Sequence, residues 1–198
     1  MTAGLPTDLP VEHFRNAAAW QKWLAAHVAD KGVWLQIAKK GQGVVSVSYV
    51  EALDVALCHG WIDGQLKSMD AQFYLQRFTP RRAKSLWSKI NIGKIEKLIA
   101  EGRMHPAGLR EVDAAKADGR WDAAYDSAST MQPHEDLLSA LEKNRKAKVF
   151  FEKLDKTNRY AVCWRVQTAK SPETRAARIG KLVEMMARGD TIHPSGKT

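Results

Sequence analysis

Apolar residues along the first two-thirds of the chain change between helical and strand-like spacing. Trp20, Leu24 and Val28 recur every four positions after Asn16, a favourable N-cap residue, so this stretch is predicted to be a helix. In residues 33–38 the most apolar side chains alternate with their neighbours, which is typical of a strand with one buried face. A mixture of helices and strands is therefore expected here.

A second helix and a hairpin are predicted next. Ser48 and Glu51 have the spacing of a capping box, which marks the start of a helix. Residues 61–67 and 72–78 are rich in strand-forming side chains, and the turn-prone residues 68–70 separate them. These two runs predict an antiparallel hairpin.

The pattern becomes purely helical in the last third of the chain. Residues 122–132 are small or polar and lack a period, which is typical of a linker. Beyond them, Val149, Phe150, Phe151 and Leu154 mark one of several helices. The sequence thus predicts an α+β protein in which a small antiparallel or mixed sheet packs with helices and an all-helical C-terminal segment follows. The expected division is a mixed domain over residues 1–121, a linker over 122–132 and a helical domain over 133–198.

Positive charge is concentrated in two parts of this 198-residue chain. The formal net charge is +9, and residues 77–103 and 133–198 each carry a net charge of +6. Such segments attract polyanions, so binding to DNA or RNA is one alternative, and it would be weak, independent of sequence and steeply salt-sensitive. The other interpretation is that these charges lie on solvated helix faces.

Signatures of catalysis, metal binding and membrane insertion are missing from the sequence. It contains no HExxH, GxxxxGK[ST], GxSxG or GxGxxG motif, and its histidines lack metal-ligand spacing. Cys58 and Cys163 form no CxxC pair, and no apolar run is long enough for a membrane span. We therefore expect a cytoplasmic, non-enzymatic protein without a cofactor or metal. An enzyme that uses Asp63 as acid or base is a further alternative.

The hairpin and the basic loop after it contain the densest group of candidate ligand-binding side chains. Alternation places Trp61 and Asp63 on one face, and the turn brings Arg77 back alongside them. Thr79 and Pro80 are expected to break the second strand after Phe78, and Ser85 to open the next helix with its backbone donors unpaired. A small anionic or peptide ligand is predicted to bind in one pocket formed by Trp61, Asp63, Arg77, Thr79, Arg81, Ser85, Trp87 and Asn91. The simpler alternative is a cross-strand pair between Asp63 and Arg77, with Trp61 in the core and Ser85 as a helix cap.

Four segments together resemble a known family. They are ALCHGWIDG (56–64), RFTPRRAKSLWSKIN (77–91), GRMHPAG (102–108) and AKSPETRAARI (169–179). In this order they are similar to the bacterial YdeI/OmpD-associated family, also called bacteriocin-protection proteins, over nearly the whole chain. The resemblance implies association with a porin and a role in envelope stress or in resistance to bacteriocins and cationic peptides, without an established reaction.

Overall fold

A computed structural model describes residues 6–27 and 30–194, so Val28 lies outside the described residues. The chain divides into two compact units. The first runs to Trp87 and also includes Asn91–Ala123, whereas the second comprises Ser88–Ile90 and the chain from Ala124 onward. No helix within the described ranges combines the length and the apolar character that crossing a bilayer requires.

The first unit is built on a mixed four-stranded sheet. Its strands are β1 (Val11–Glu12), β2 (Val33–Ala38), β3 (Trp61–Ser68) and β4 (Phe73–Pro80), in the order β1-β2-β4-β3. β1 pairs with β2 in parallel, whereas the β2–β4 and β3–β4 pairs are antiparallel. β3 and β4 form the predicted hairpin, and their register shifts between Asp63 and Leu66.

The helices of the first unit begin and end at residues with clear local signals. They are α1 (Ala17–Ala26), α2 (Tyr49–Cys58), α3 (Lys89–Ala100), whose first two residues belong to the second unit, and α4 (Pro106–Ala117). Asn16 accepts a hydrogen bond from the Ala19 amide, and Ser48 and Glu51 form the predicted capping box. α2 is followed by Gly60, whose φ of +77° is unfavourable for other residues.

Tryptophan side chains dominate the core between α1 and the sheet. Trp20 is fully buried, lies 5.7 Å from the Phe78 ring of β4, and donates its indole N–H to the Ala52 carbonyl of α2. Its ring also meets Trp61 of β3 edge to face at 6.3 Å. Such aromatic pairs contribute about 0.5–1.5 kcal/mol each beyond the burial of their area.

The second unit is helical. It contains α5 (Glu135–Glu142), α6 (Arg145–Lys153), α7 (Lys156–Gln167) and α8 (Pro172–Ala187). Their inward residues form a separate core of Leu137, Leu141, Ala147, Phe151, Val162, Cys163, Val166, Ile179, Leu182 and Met186. The predicted fold class, α+β with C-terminal helices, is therefore confirmed.

Two local predictions after the hairpin are wrong. β4 continues through Thr79 to Pro80, because these residues still pair with Ile62 and Trp61 of β3. A proline is tolerated as the last residue of a strand, since the ladder loses only the hydrogen bond of the missing N–H. The next helix begins at Lys89 rather than at Ser85, and the Ser85 hydroxyl instead accepts a hydrogen bond from the Arg82 amide within a turn.

Candidate functional site

Trp61 and Asp63 lie on the side of β3 that faces the helices. Trp61 is only 3% exposed and packs against Trp20 and Trp23 of α1. The Asp63 carboxylate accepts a 2.8 Å hydrogen bond from the Tyr49 hydroxyl at the start of α2. Burial, and next this hydrogen bond, raise the pKa of Tyr49. Asp63 therefore helps to attach α2 to the sheet.

Arg77 lies on the opposite face of the sheet. Asp63 pairs across the hairpin with Phe78, so the preceding residue of β4 points away from it. The Arg77 Nη2 instead lies 3.3 Å from a carboxylate oxygen of Asp8, and its guanidinium lies 5.8 Å from the ring centre of Trp34 on β2. Thr79 is two residues further along this strand. The expected proximity of Asp63 and Arg77 is thus wrong for both the ligand pocket and the cross-strand ion pair.

The basic loop folds back onto an indole. The Arg81 guanidinium lies 3.6 Å from the centre of the Trp87 ring, and its Nη1 donates to the Leu86 carbonyl at 3.3 Å. Arg81 and Trp87 are only 8% and 1% exposed, and Trp87 packs 5.1 Å from Trp121. This arrangement is a cation–π contact inside the first unit.

The eight predicted residues therefore form separate groups. Trp61 and Asp63 face α1 and α2, Arg77 and Thr79 follow the other side of β4, and Arg81, Ser85 and Trp87 lie in the loop. Asn91 lies in α3 and is partly buried. Since Trp61, Arg81 and Trp87 are almost entirely covered, little of their surface is left for a ligand.

A small polar pocket of about 220 Å³ also lies in the first unit. Gln21, Val55, Cys58, Gly102 and Arg103 line it. Burial raises the pKa of the Cys58 thiol, which opposes formation of the reactive thiolate. No group of three or more His, Cys, Asp or Glu side chains in residues 6–27 and 30–194 is placed to hold a metal ion.

The larger cleft lies in the second unit, between α6 and the C-terminal end of α8. Its volume is about 700 Å³, within the range of pockets that bind drug-sized ligands. Nine residues line it, namely Arg145, Lys146, Val149, Phe150, Lys153, Met186, Ala187, Arg188 and Gly189. We call this feature the α6–α8 cleft.

Apolar and cationic side chains share the lining of the α6–α8 cleft. Val149 is 42% exposed, and Phe150 is partly buried. Gly189 lies opposite Phe150, since a side chain built there would approach the ring at 3.8 Å. All the charged lining residues are Arg or Lys, and none is acidic. The cleft therefore suits a ligand that combines an apolar part with negative charge.

Sequence reasoning missed the α6–α8 cleft, although α6 contained a signal for it. Consecutive residues on a helix point about 100° apart, so Val149, Phe150 and Phe151 cannot all face one core. Two of these three apolar side chains were therefore available for another surface.

Two family models match different parts of the chain. Residues 12–111 match a family described as Domain of unknown function (DUF8412). Residues 130–189 match the family described as Bacteriocin-protection, YdeI or OmpD-Associated. This second match confirms the predicted family, but over 130–189 rather than nearly the whole chain, and of the four resembling segments it includes only 169–179.

The remaining comparisons give no further relatives, since no curated protein and no solved structure matches the chain. The first family model spans half of the chain, and the second includes every residue that lines the α6–α8 cleft. Residues 130–189 match the bacteriocin-protection, YdeI or OmpD-associated family, and through residues 12–111 the chain belongs to the DUF8412 family.

Proposed function

We propose that the protein is a non-enzymatic, cytoplasmic binding protein of the YdeI/OmpD-associated type, and that its ligand occupies the α6–α8 cleft. The observation that carries this proposal is the combination of an open apolar floor with a rim of Arg145, Lys146, Lys153 and Arg188. The ligand class is an anionic molecule or peptide with an apolar part.

The lining residues favour binding over catalysis. Apart from Lys146 and Lys153, none of the nine is of a residue type that commonly acts as a nucleophile or general base. The Arg and Lys side chains of the cleft are suited to holding an anion in place by charge-assisted hydrogen bonds.

A protective role against cationic peptides would then be indirect. A chain with a formal net charge of +9 repels a cationic peptide, and the rim of the cleft adds to that repulsion. Protection would therefore proceed through an anionic partner.

Dodecanoate is a simple probe, because it joins one carboxylate to an apolar chain. We expect saturable binding by titration calorimetry that weakens as salt is raised. Val149→Asp places a carboxylate on the floor of the cleft and should reduce affinity about tenfold or more. Leu138→Asp is the matched control, since Leu138 is 47% exposed on α5 and does not line the cleft.

Equal affinity of the two variants for dodecanoate would show that the fatty acid binds elsewhere. If the wild-type protein binds neither dodecanoate nor an acidic amphipathic peptide, the proposed function is wrong.

A further inference from the structure

The spacing of the cations on α6 gives a more specific indication of the partner. Lys146 and Lys153 both line the cleft and are seven residues apart. Seven residues are almost two full helical turns, so the two side chains share one stripe and lie about 10.5 Å apart along the axis. Val149 and Phe150 lie between them. Along this stripe a cation is followed by two apolar side chains and then by a second cation.

The first turn of α6 begins with two cations. Arg145 and Lys146 are its first two residues, and this turn contains no acidic side chain. Cations are unfavourable there, because the helix dipole places positive charge at this end. In the same unit, α5 and α8 have Glu135 or Glu173 in their first turns, whereas α7 also begins with a lysine and has no acid there. An anion bound at the start of α6 would remove this repulsion.

Neighbouring acids do not neutralise the rim within the part of the chain that the structure describes. Arg145, Lys146 and Lys153 take part in none of its ion pairs. Lys148, on the other side of α6, does pair with Glu142 at 2.6 Å. Among the described residues, Arg188 is the one rim cation with an acidic partner, and its Nε lies 3.0 Å from a carboxylate oxygen of Asp190. The charge of the cleft is therefore available to a partner.

A second copy of this chain is a poor occupant, because it would bring an identical basic rim against this one. A segment with the complementary pattern, carboxylates two turns apart with apolar side chains between them, is an amphipathic acidic helix. Helices commonly place such apolar residues into a hydrophobic groove on another protein.

We propose that the α6–α8 cleft docks an acidic amphipathic helix of a partner protein. Two carboxylates spaced seven residues apart meet Lys146 and Lys153, and the apolar residues between them contact Val149 and Phe150. This inference rests on the proposed function and names the partner class for the same cleft.

The test uses the full-length protein and two labelled peptides of about 18 residues, which is long enough for five helical turns. The in-register peptide has two Glu residues seven positions apart with two Leu between them, on an Ala- and Gln-rich helical background. The shifted peptide has the same composition, but its two Glu residues are five positions apart and therefore project from opposite faces. Fluorescence anisotropy should show binding of the in-register peptide about tenfold tighter or more.

Exchanging the charges of the protein and the peptide distinguishes direct pairing with Lys146 and Lys153 from a loss of binding caused by an altered structure. The double variant Lys146→Glu, Lys153→Glu should lose at least about tenfold in affinity for the in-register peptide. It should regain binding to a third peptide in which Lys replaces both Glu residues. Lys181→Glu is the matched control, because Lys181 is an exposed lysine of α8 that does not line the cleft.

The outcomes distinguish this inference from the proposed function. The two peptides could bind equally or not at all while dodecanoate still binds and loses affinity in Val149→Asp. The cleft would then bind small anionic amphiphiles, and the inference of a helical partner would be wrong. Displacement of the in-register peptide by a single-stranded oligonucleotide at equal or lower concentration would also overturn it, in favour of nucleic acid. Failure of the exchanged peptide to bind the double variant would refute direct pairing with the two lysines.

Discussion

Gly108→Ala is expected to destabilise the first unit strongly, although alanine is normally the better helix residue. Gly108 lies in the first turn of α4, where this helix crosses the end of α2. A methyl group at this position would lie 2.2 Å from the Cys58 carbonyl oxygen and 2.9 Å from that of Leu57. Both are backbone atoms, and the Cys58 oxygen also accepts a hydrogen bond from the His105 amide at 3.1 Å. The clash therefore cannot be relieved by rotating a side chain.

The size of the effect follows from the displacement that is needed. An ordinary carbon–oxygen contact requires α4 and α2 to separate by roughly 1 Å, and overpacking of this kind costs about 1–3 kcal/mol. Replacing a helical glycine with alanine otherwise stabilises by about 0.5–1 kcal/mol. Because two backbone carbonyls must move, we expect the upper part of the range and a net loss of about 2 kcal/mol in the free energy of unfolding.

Gly93→Ala provides a matched control in the same unit. Gly93 lies within α3, and a methyl group there would meet no atom within 4 Å. This substitution should stabilise by about 0.5–1 kcal/mol. Urea unfolding followed by tryptophan fluorescence suits the comparison, since all tryptophans except Trp164 belong to the first unit. Equal stability of the two variants would refute the close packing of α4 against α2.

Three further predictions concern stability. Tyr49→Phe removes the hydrogen bond to Asp63 and should lower the free energy of urea unfolding by about 1 kcal/mol, whereas an unchanged midpoint would show that the bond contributes nothing. Burial, and next the stacked ring of His105 at 4.6 Å, lower the pKa of His59 below 6.5, so the unfolded chain takes up this proton first. Stability should therefore fall as the pH decreases from about 6.5, and His59→Phe should reduce that slope in urea titrations at successive pH values. A chain ending at Gln132 should keep a cooperative thermal transition, and a broad, non-cooperative melt would contradict the predicted domain division.

Much of the fold could be predicted because its signals are local. The capping box at Ser48 and Glu51, the cap at Asn16 and the helix end before Gly60 each depend on a few neighbouring residues. The α+β class follows from the order of these elements. Pro80 misled the prediction, because its missing N–H matters only where a strand partner needs it.

The eight-residue pocket was predicted from local signals, but whether such side chains meet depends on which face of the sheet each strand residue occupies. A shift of one residue in strand pairing moves every side chain of that strand to the other face of the sheet. Because Asp63 pairs with Phe78, Arg77 points to the face opposite Asp63. Arginine side chains are usually exposed, yet Arg81 is covered by its stack on Trp87. Both outcomes depend on contacts between distant residues.

The α6–α8 cleft shows where a sequence pattern exceeds the needs of packing. Within the run Val149, Phe150 and Phe151, the core of the second unit takes Phe151, and Phe150 contributes only from the edge. Val149 stays exposed, although a polar residue at that position would increase the solubility of the protein and fit the helix equally well. Cations at the start of the same helix also oppose its dipole. Because each choice is unfavourable for the isolated chain and both concern one cleft, the proposed partner with apolar and acidic groups would account for them together.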